Sequence, residues 1–129
     1  MKPSVSYVLF TDLDGTLLDH DSYSLQPAEA ALEEVRARKV PLVLCTSKTR
    51  AEVEAVRAEL GNADPFIVEN GAAVYVPTGY FPFRLAGWGS TGDYDVLRWG
   101  VPYPEVVAAL RRASARSGCP VRGFHDLTV

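Results

Sequence analysis

Three features of the sequence predict an α/β fold built on a parallel sheet. An apolar run (Val5, Tyr7, Val8, Leu9, Phe10) reads as a buried strand and breaks off at Asp12-Leu13-Asp14-Gly15-Thr16. A second short apolar run, Leu42-Val43-Leu44-Cys45, closes in Thr46-Ser47. Between them Ala28, Ala31, Leu32 and Val35 recur at helical spacing, with Glu33, Glu34, Arg36 and Arg38 on the other side. Strand, helix and strand within about 40 residues form a βαβ unit, whose two strands run parallel.

The first strand ends in two carboxylates, Asp12 and Asp14, one residue apart. Charge at the end of a buried strand is unfavourable without a partner, and none stands beside them in sequence. A divalent cation is the simplest partner. Mg²⁺ suits carboxylate oxygens and keeps several of its waters. Gly15 then allows a turn that a residue with a Cβ resists.

The next helix begins at Pro27, suited to a first helical turn. The second strand leads into Thr49-x-x-Glu52, a capping box, and the following helix carries Val53, Val56 and Leu60 inward before Gly61 ends it. Thr46 and Ser47 have two readings, as local capping groups or as an anion site formed by hydroxyls and backbone N–H groups at a strand-to-helix turn. Open α/β sheets bind ligands beyond the carboxyl ends of their strands, and Asp12 stands at such an end, which favours a phosphate site. Phe66 to Glu69 reads as a third strand, Asn70-Gly71 as a turn and Ala73 to Val76 as its returning strand.

Residues 86–95 are glycine-rich and read as a linker between a first domain (1–85) and a second, partial one (96–129). The glycines lack the Gly-Lys-Ser/Thr ending of a nucleotide loop. Val96 to Trp99 reads as a strand, and Pro104 opens a helix with Val106, Val107, Leu110 and Ala113 inward. Arg111, Arg112 and Arg116 form its solvated face, and Gly118 closes it. A further strand is expected at Val121 to Phe124, and His125 reads as a surface or capping residue.

Composition narrows the function classes. A hydrophobic content of 47% with 22% charged residues describes a folded globular chain. A net charge of −3 argues against nucleic acid or an anionic membrane as partner. No apolar run is long enough for a spanning helix, and Met1-Lys2-Pro3-Ser4 does not open a signal peptide. Cys45 and Cys119 are expected as buried or half-buried free thiols, which places the chain in the cytoplasm. Arginine far outnumbers lysine, and Gln26, Asn62 and Asn70 are the only side-chain amides. This fits a thermophile, or a genome biased towards arginine.

The motifs together resemble those of the haloacid dehalogenase-like phosphatases. A hydrophobic strand followed by Asp-x-Asp-Gly-Thr is similar to their first motif, and an apolar strand closing in Thr46 to their second. Within that superfamily four segments resemble the mannosyl-3-phosphoglycerate phosphatases: Thr-Asp-Leu-Asp-Gly-Thr-Leu-Leu-Asp at 11–19, Thr-Ser-Lys-Thr-Arg at 46–50, Glu-Asn-Gly-Ala-Ala-Val-Tyr-Val-Pro at 69–77 and Gly-Tyr-Phe at 79–81. Many cap-bearing relatives have Thr-Gly-Arg where this chain has Thr46-Ser47-Lys48.

The resemblance implies a Rossmann-like core followed by the start of an α+β cap. It also implies Mg²⁺-dependent removal of phosphate from mannosyl-3-phosphoglycerate, a phosphorylated sugar-acid, to give the compatible solute mannosylglycerate. By the same resemblance Asp12 is the nucleophile that forms an aspartyl-phosphate, and Asp14 protonates the leaving oxygen and later activates water. The Asp12 carboxylate and the Asp14 backbone carbonyl would hold Mg²⁺. Gly15, Thr16, Thr46 and Ser47 would bind the phosphoryl group, with Asn70 and Gly71 beside the substrate. The family's later lysine and acidic metal loop do not occur by residue 129, Lys48 being in the wrong place and Asp93 to Asp95 on the linker. The chain thus resembles an amino-terminal half, and little phosphatase activity is expected of these residues alone. Another sugar-phosphate phosphatase, a phosphomannomutase and a non-catalytic binding domain are the alternatives.

Overall fold

The computed structural model describes residues 7–123 and Asp126. In order they form β1 (Leu9–Thr11), α1 (Glu29–Ala37), β2 (Leu42–Cys45), α2 (Arg50–Leu60), β3 (Phe66–Val68), β4 (Ala73–Pro77), β5 (Gly89–Thr91), β6 (Tyr94–Arg98) and α3 (Tyr103–Ser117). Short 3-10 turns lie at Gln26–Ala28 and Glu69–Gly71. The readings of Val5, Phe124 and His125 fall outside the described residues.

The chain divides into two compact units, Met1–Trp99 and Gly100–Val129. In the first, β1, β2 and β3 run parallel, with Thr11 opposite Leu44 and Leu44 opposite Phe66. Strands β4, β6 and β5 continue the sheet antiparallel, giving the order β1-β2-β3-β4-β6-β5. The expected parallel sheet is therefore the first half of a mixed one.

Helices α1 and α2 cross over on one face. Leu32, Val53 and Leu60 pack with Leu42, Leu44, Phe66, Val68, Ala73, Tyr75 and Val96 in a single core. Only Leu32 is fully buried in α1, while Ala31, expected inward, is exposed. The ends of α2 are set by local chemistry. The Glu52 carboxylate accepts from both the Thr49 N–H (2.8 Å) and the Thr49 hydroxyl (2.7 Å), and Gly61 closes the helix in the left-handed region at φ 61°.

Four expectations are corrected. Among the described residues strand β1 stands at the sheet edge and pairs with β2 alone, so Leu9 and Phe10 are exposed and not buried. Residues 86–95 are not a linker: β5 and β6 form a hairpin about Gly92-Asp93 and pair onto β4. Gly92 takes a φ of 59°, which makes the tight connection possible. Cys45 and Cys119 are free but exposed, Cys45 because it is the last residue of β2. Within the second unit no residue of α3 is buried, and residues 121–123 form no strand. There Gly118 ends α3 at φ 68°, and the Ser114 hydroxyl donates to the Cys119 carbonyl (2.7 Å).

Candidate active site

The loop after β1 is built on Leu13. This side chain is fully buried and, with Leu18, anchors residues 12–18 to the core. The N–H groups of Thr16 and Leu18 donate to the Leu13 carbonyl (3.1 and 2.8 Å), and that of Gly15 to the Leu18 carbonyl (2.9 Å). Gly15 sits at φ 70°. With Leu13 pointing inward, its neighbours Asp12 and Asp14 lie outward, and both are exposed together with Gly15 and Thr16. The sequence argument from buried carboxylates is thus corrected: water solvates both, and the desolvation penalty is small.

The turn after β2 carries the missing counter-charge. Lys48 Nζ lies 3.0 Å from Asp14 Oδ1, and 5.6 Å from the centre of the Tyr23 ring. The hydrogen bond to Asp14 raises the Lys48 pKa above its ordinary value, so the ammonium is firmly charged. Thr46 is buried, and its hydroxyl oxygen accepts the Lys48 N–H (3.2 Å), while Ser47 is exposed. Helix capping itself falls to Thr49.

A third loop joins these two. Glu69 and Asn70 both adopt positive φ, 51° and 56°. Their N–H groups donate to the Lys48 carbonyl (3.0 Å) and the Thr46 carbonyl (3.1 Å) respectively. Glu69 and Asn70 are thereby tied, through the backbone, to the Thr46–Lys48 turn, and Gly71 follows in the same short turn. All three loops leave the carboxyl ends of adjacent parallel strands. By the register of Thr11 with Leu44, Asp12 stands level with Cys45 and one residue short of Thr46. Tyr23 carries no signal in the sequence, and Lys48, set aside there as misplaced for the family's later lysine, meets Asp14 instead. The signal for Lys48 was its place in the same strand-to-helix turn as Thr46.

The donor chemistry of this tip fits Mg²⁺. Two exposed carboxylates separated by a buried leucine offer hard oxygen ligands, and Mg²⁺ is commonly held by one or two carboxylates plus substrate phosphate and water. Among the described residues no group of three or more His, Cys, Asp or Glu comes together for a metal.

Comparison with known proteins places the chain among phosphatase relatives. The chain is 41% identical over 123 residues to a glucosyl-3-phosphoglycerate/mannosyl-3-phosphoglycerate phosphatase of Methanococcoides burtonii, covering 95% of this chain and 45% of that protein. It is 43% identical to a protein of the same description from Persephonella marina, covering 95% and 44%. To the mannosyl-3-phosphoglycerate phosphatase of Pyrococcus furiosus it is again 43% identical, covering 90% and 47%. The chain therefore spans about half the length of the curated relatives it matches.

Among solved structures, a hypothetical protein of Geobacillus kaustophilus superposes with a TM-score of 0.59 at 28% identity, over 88% of this chain and 38% of that one. A phosphatase of the haloalkanoate superfamily from Bacteroides thetaiotaomicron superposes with a TM-score of 0.59 at 22% identity, over 91% and 38%, which supports the fold. The family model for haloacid dehalogenase-like hydrolases matches residues 9–81, more than half of the chain and the stretch that holds all three loops of the site. The chain belongs to the haloacid dehalogenase-like hydrolases.

Proposed function

We propose that the protein containing this chain is a Mg²⁺-dependent phosphatase acting on mannosyl- or glucosyl-3-phosphoglycerate, releasing phosphate and the glycosylglycerate. The observation that carries this reading is the meeting of the loops after β1 and β2 at one end of the sheet, marked by the 3.0 Å Asp14–Lys48 contact. The names of the relatives supply the substrate class.

In this reading the Asp12 carboxylate attacks phosphorus, forming an aspartyl-phosphate as the ester bond breaks. Asp14 is the acid–base group: its carboxylate takes up a proton from water, passes it to the departing sugar-acid oxygen, then takes one from the water that hydrolyses the acyl phosphate. The Thr46 hydroxyl, whose oxygen already accepts from Lys48 N–H, retains its own hydrogen to donate to a phosphoryl oxygen. In the same reading the exposed Ser47, Gly15 and Thr16 would bind the phosphoryl group, with Asn70 and Gly71 beside the substrate. Mg²⁺, held by the Asp12 carboxylate and the Asp14 backbone carbonyl, would offset repulsion between carboxylate and phosphate.

The test is phosphate release from mannosyl-3-phosphoglycerate with and without Mg²⁺, run on these 129 residues and on the full product of the gene. Asp12→Asn removes the nucleophile, and a loss of at least about 10³-fold in kcat is expected. Turnover by Asp12→Asn at the unsubstituted rate would end the assignment.

A further inference from the structure

Lys48 takes no part in the scheme above, yet it is held at both ends. Its N–H is bonded to the Thr46 hydroxyl and its carbonyl to the Glu69 N–H, which fixes the backbone between two loops of the site. Its ammonium reaches the loop after β1 at Asp14, 3.0 Å away, beside the Tyr23 ring. The Lys48 side chain is 19% exposed against 40% for Asp14, so the cation is the more sheltered of the pair.

We propose that Lys48 is the residue that selects phosphate esters bearing a carboxylate, its ammonium receiving the carboxylate of a 3-phosphoglycerate moiety. This rests on the phosphatase reading, in which Asp14 touches the ester oxygen. A carboxylate oxygen of 3-phosphoglycerate lies within about 5 Å of its own ester oxygen. Lys48 Nζ stands one hydrogen bond beyond Asp14, so an ester oxygen placed on Asp14 brings the carboxylate within reach of the ammonium. An ammonium carries three donors, and Asp14 Oδ1 occupies one of them. Without that cation the substrate carboxylate would face Asp12 and Asp14, two like charges on an exposed loop. Partial shelter beside Tyr23 strengthens the contact relative to one in open water.

The probes are 3-phospho-D-glycerate and sn-glycerol 1-phosphate, which share one configuration and differ in that a carboxylate in the first replaces a hydroxymethyl group in the second. Calorimetric titration at fixed Mg²⁺ gives the ratio of their dissociation constants for the unsubstituted protein, Lys48→Met and Lys48→Arg. The unsubstituted protein binds the carboxylated probe more tightly. Lys48→Met lowers that preference by about 10- to 100-fold, the range of a hydrogen bond to a charged group, and Lys48→Arg, which keeps the charge, retains most of it. Equal weakening of both probes would show that Lys48 serves the phosphate or the fold, and an unchanged ratio or no binding of either probe would equally overturn the proposal. Because binding is read without turnover, the outcome is independent of the Asp12→Asn measurement, which reports on the phosphatase reading by itself.

Discussion

Arg57 offers the sharpest test of how the core beneath the site is held. This arginine of α2 is buried, and its guanidinium lies 4.4 Å from the centre of the Phe66 ring and 5.8 Å from that of Tyr94. All three of its nitrogens donate: Nε to Asn62 Oδ1 (3.3 Å), Nη1 to the Tyr94 hydroxyl (2.9 Å) and Nη2 to the Asp64 carbonyl (2.8 Å). Arg57→Met keeps most of the stem but removes every donor and the ring contact. Two good hydrogen bonds from a charged group contribute about 1.5–3 kcal/mol each, and relief of guanidinium burial offsets part of that. A net loss of about 3 kcal/mol is expected, with Arg57→Ala about 1 kcal/mol worse through the space opened beside Phe66. Urea unfolding at neutral pH measures it, with the slope unchanged if only stability has moved. A double-mutant cycle with Tyr94→Phe should return a coupling of about 1 kcal/mol. A loss below about 1 kcal/mol for Arg57→Met would refute the reasoning, since water would then be replacing the guanidinium at no net penalty.

Two further predictions concern pH. The Thr49 hydroxyl and N–H hold the Glu52 pKa below its ordinary 4.5, so the capping box stabilises α2 above about that pH and its contribution is lost as pH falls through the lowered folded value. Thr49→Ala should therefore destabilise by about 1 kcal/mol at pH 7 and by visibly less in acid, as followed by thermal unfolding; an equal loss at both pH values would count against the box. Burial, and then its hydrogen bond to Asp64, push Tyr80 up to about 12 from an ordinary 10.0. That stabilisation is complete below pH 10 and disappears as pH rises through about 12, so Tyr80→Phe should flatten the alkaline limb of a stability profile, and an unchanged limb would show that the Asp64 contact does not hold the proton.

What could be read from the sequence was local. Leu42 to Cys45 emerged as a strand with the expected bounds because Pro41 precedes it and Thr46 closes it, and α2 kept its bounds because its cap and its glycine act within a few residues. What could not be read depended on partners distant in the chain. Val96 is buried only because β6 lies against β4, a pairing that glycine-rich composition at 86–95 conceals. Leu9 and Phe10 are apolar enough to be core, but composition does not say which strands flank them, and an edge position leaves them exposed. The pairing of Lys48 with Asp14 was hidden for the same reason: it is 34 positions from Asp14 along the chain, yet parallel pairing of β1 with β2 sets their loops side by side. The exposure of the Asp12–Asp14 pair has a local cause. Burial of charge does not explain the pair, because Leu13 takes the inward position and turns both carboxylates to solvent. The residue between the two aspartates is thus what leaves both exposed, and Asp14 reaches Lys48 on the neighbouring turn. A polar residue at position 13 would release the loop from the core and separate the carboxylates from that turn, leaving the chemistry of each side chain intact and its geometry gone.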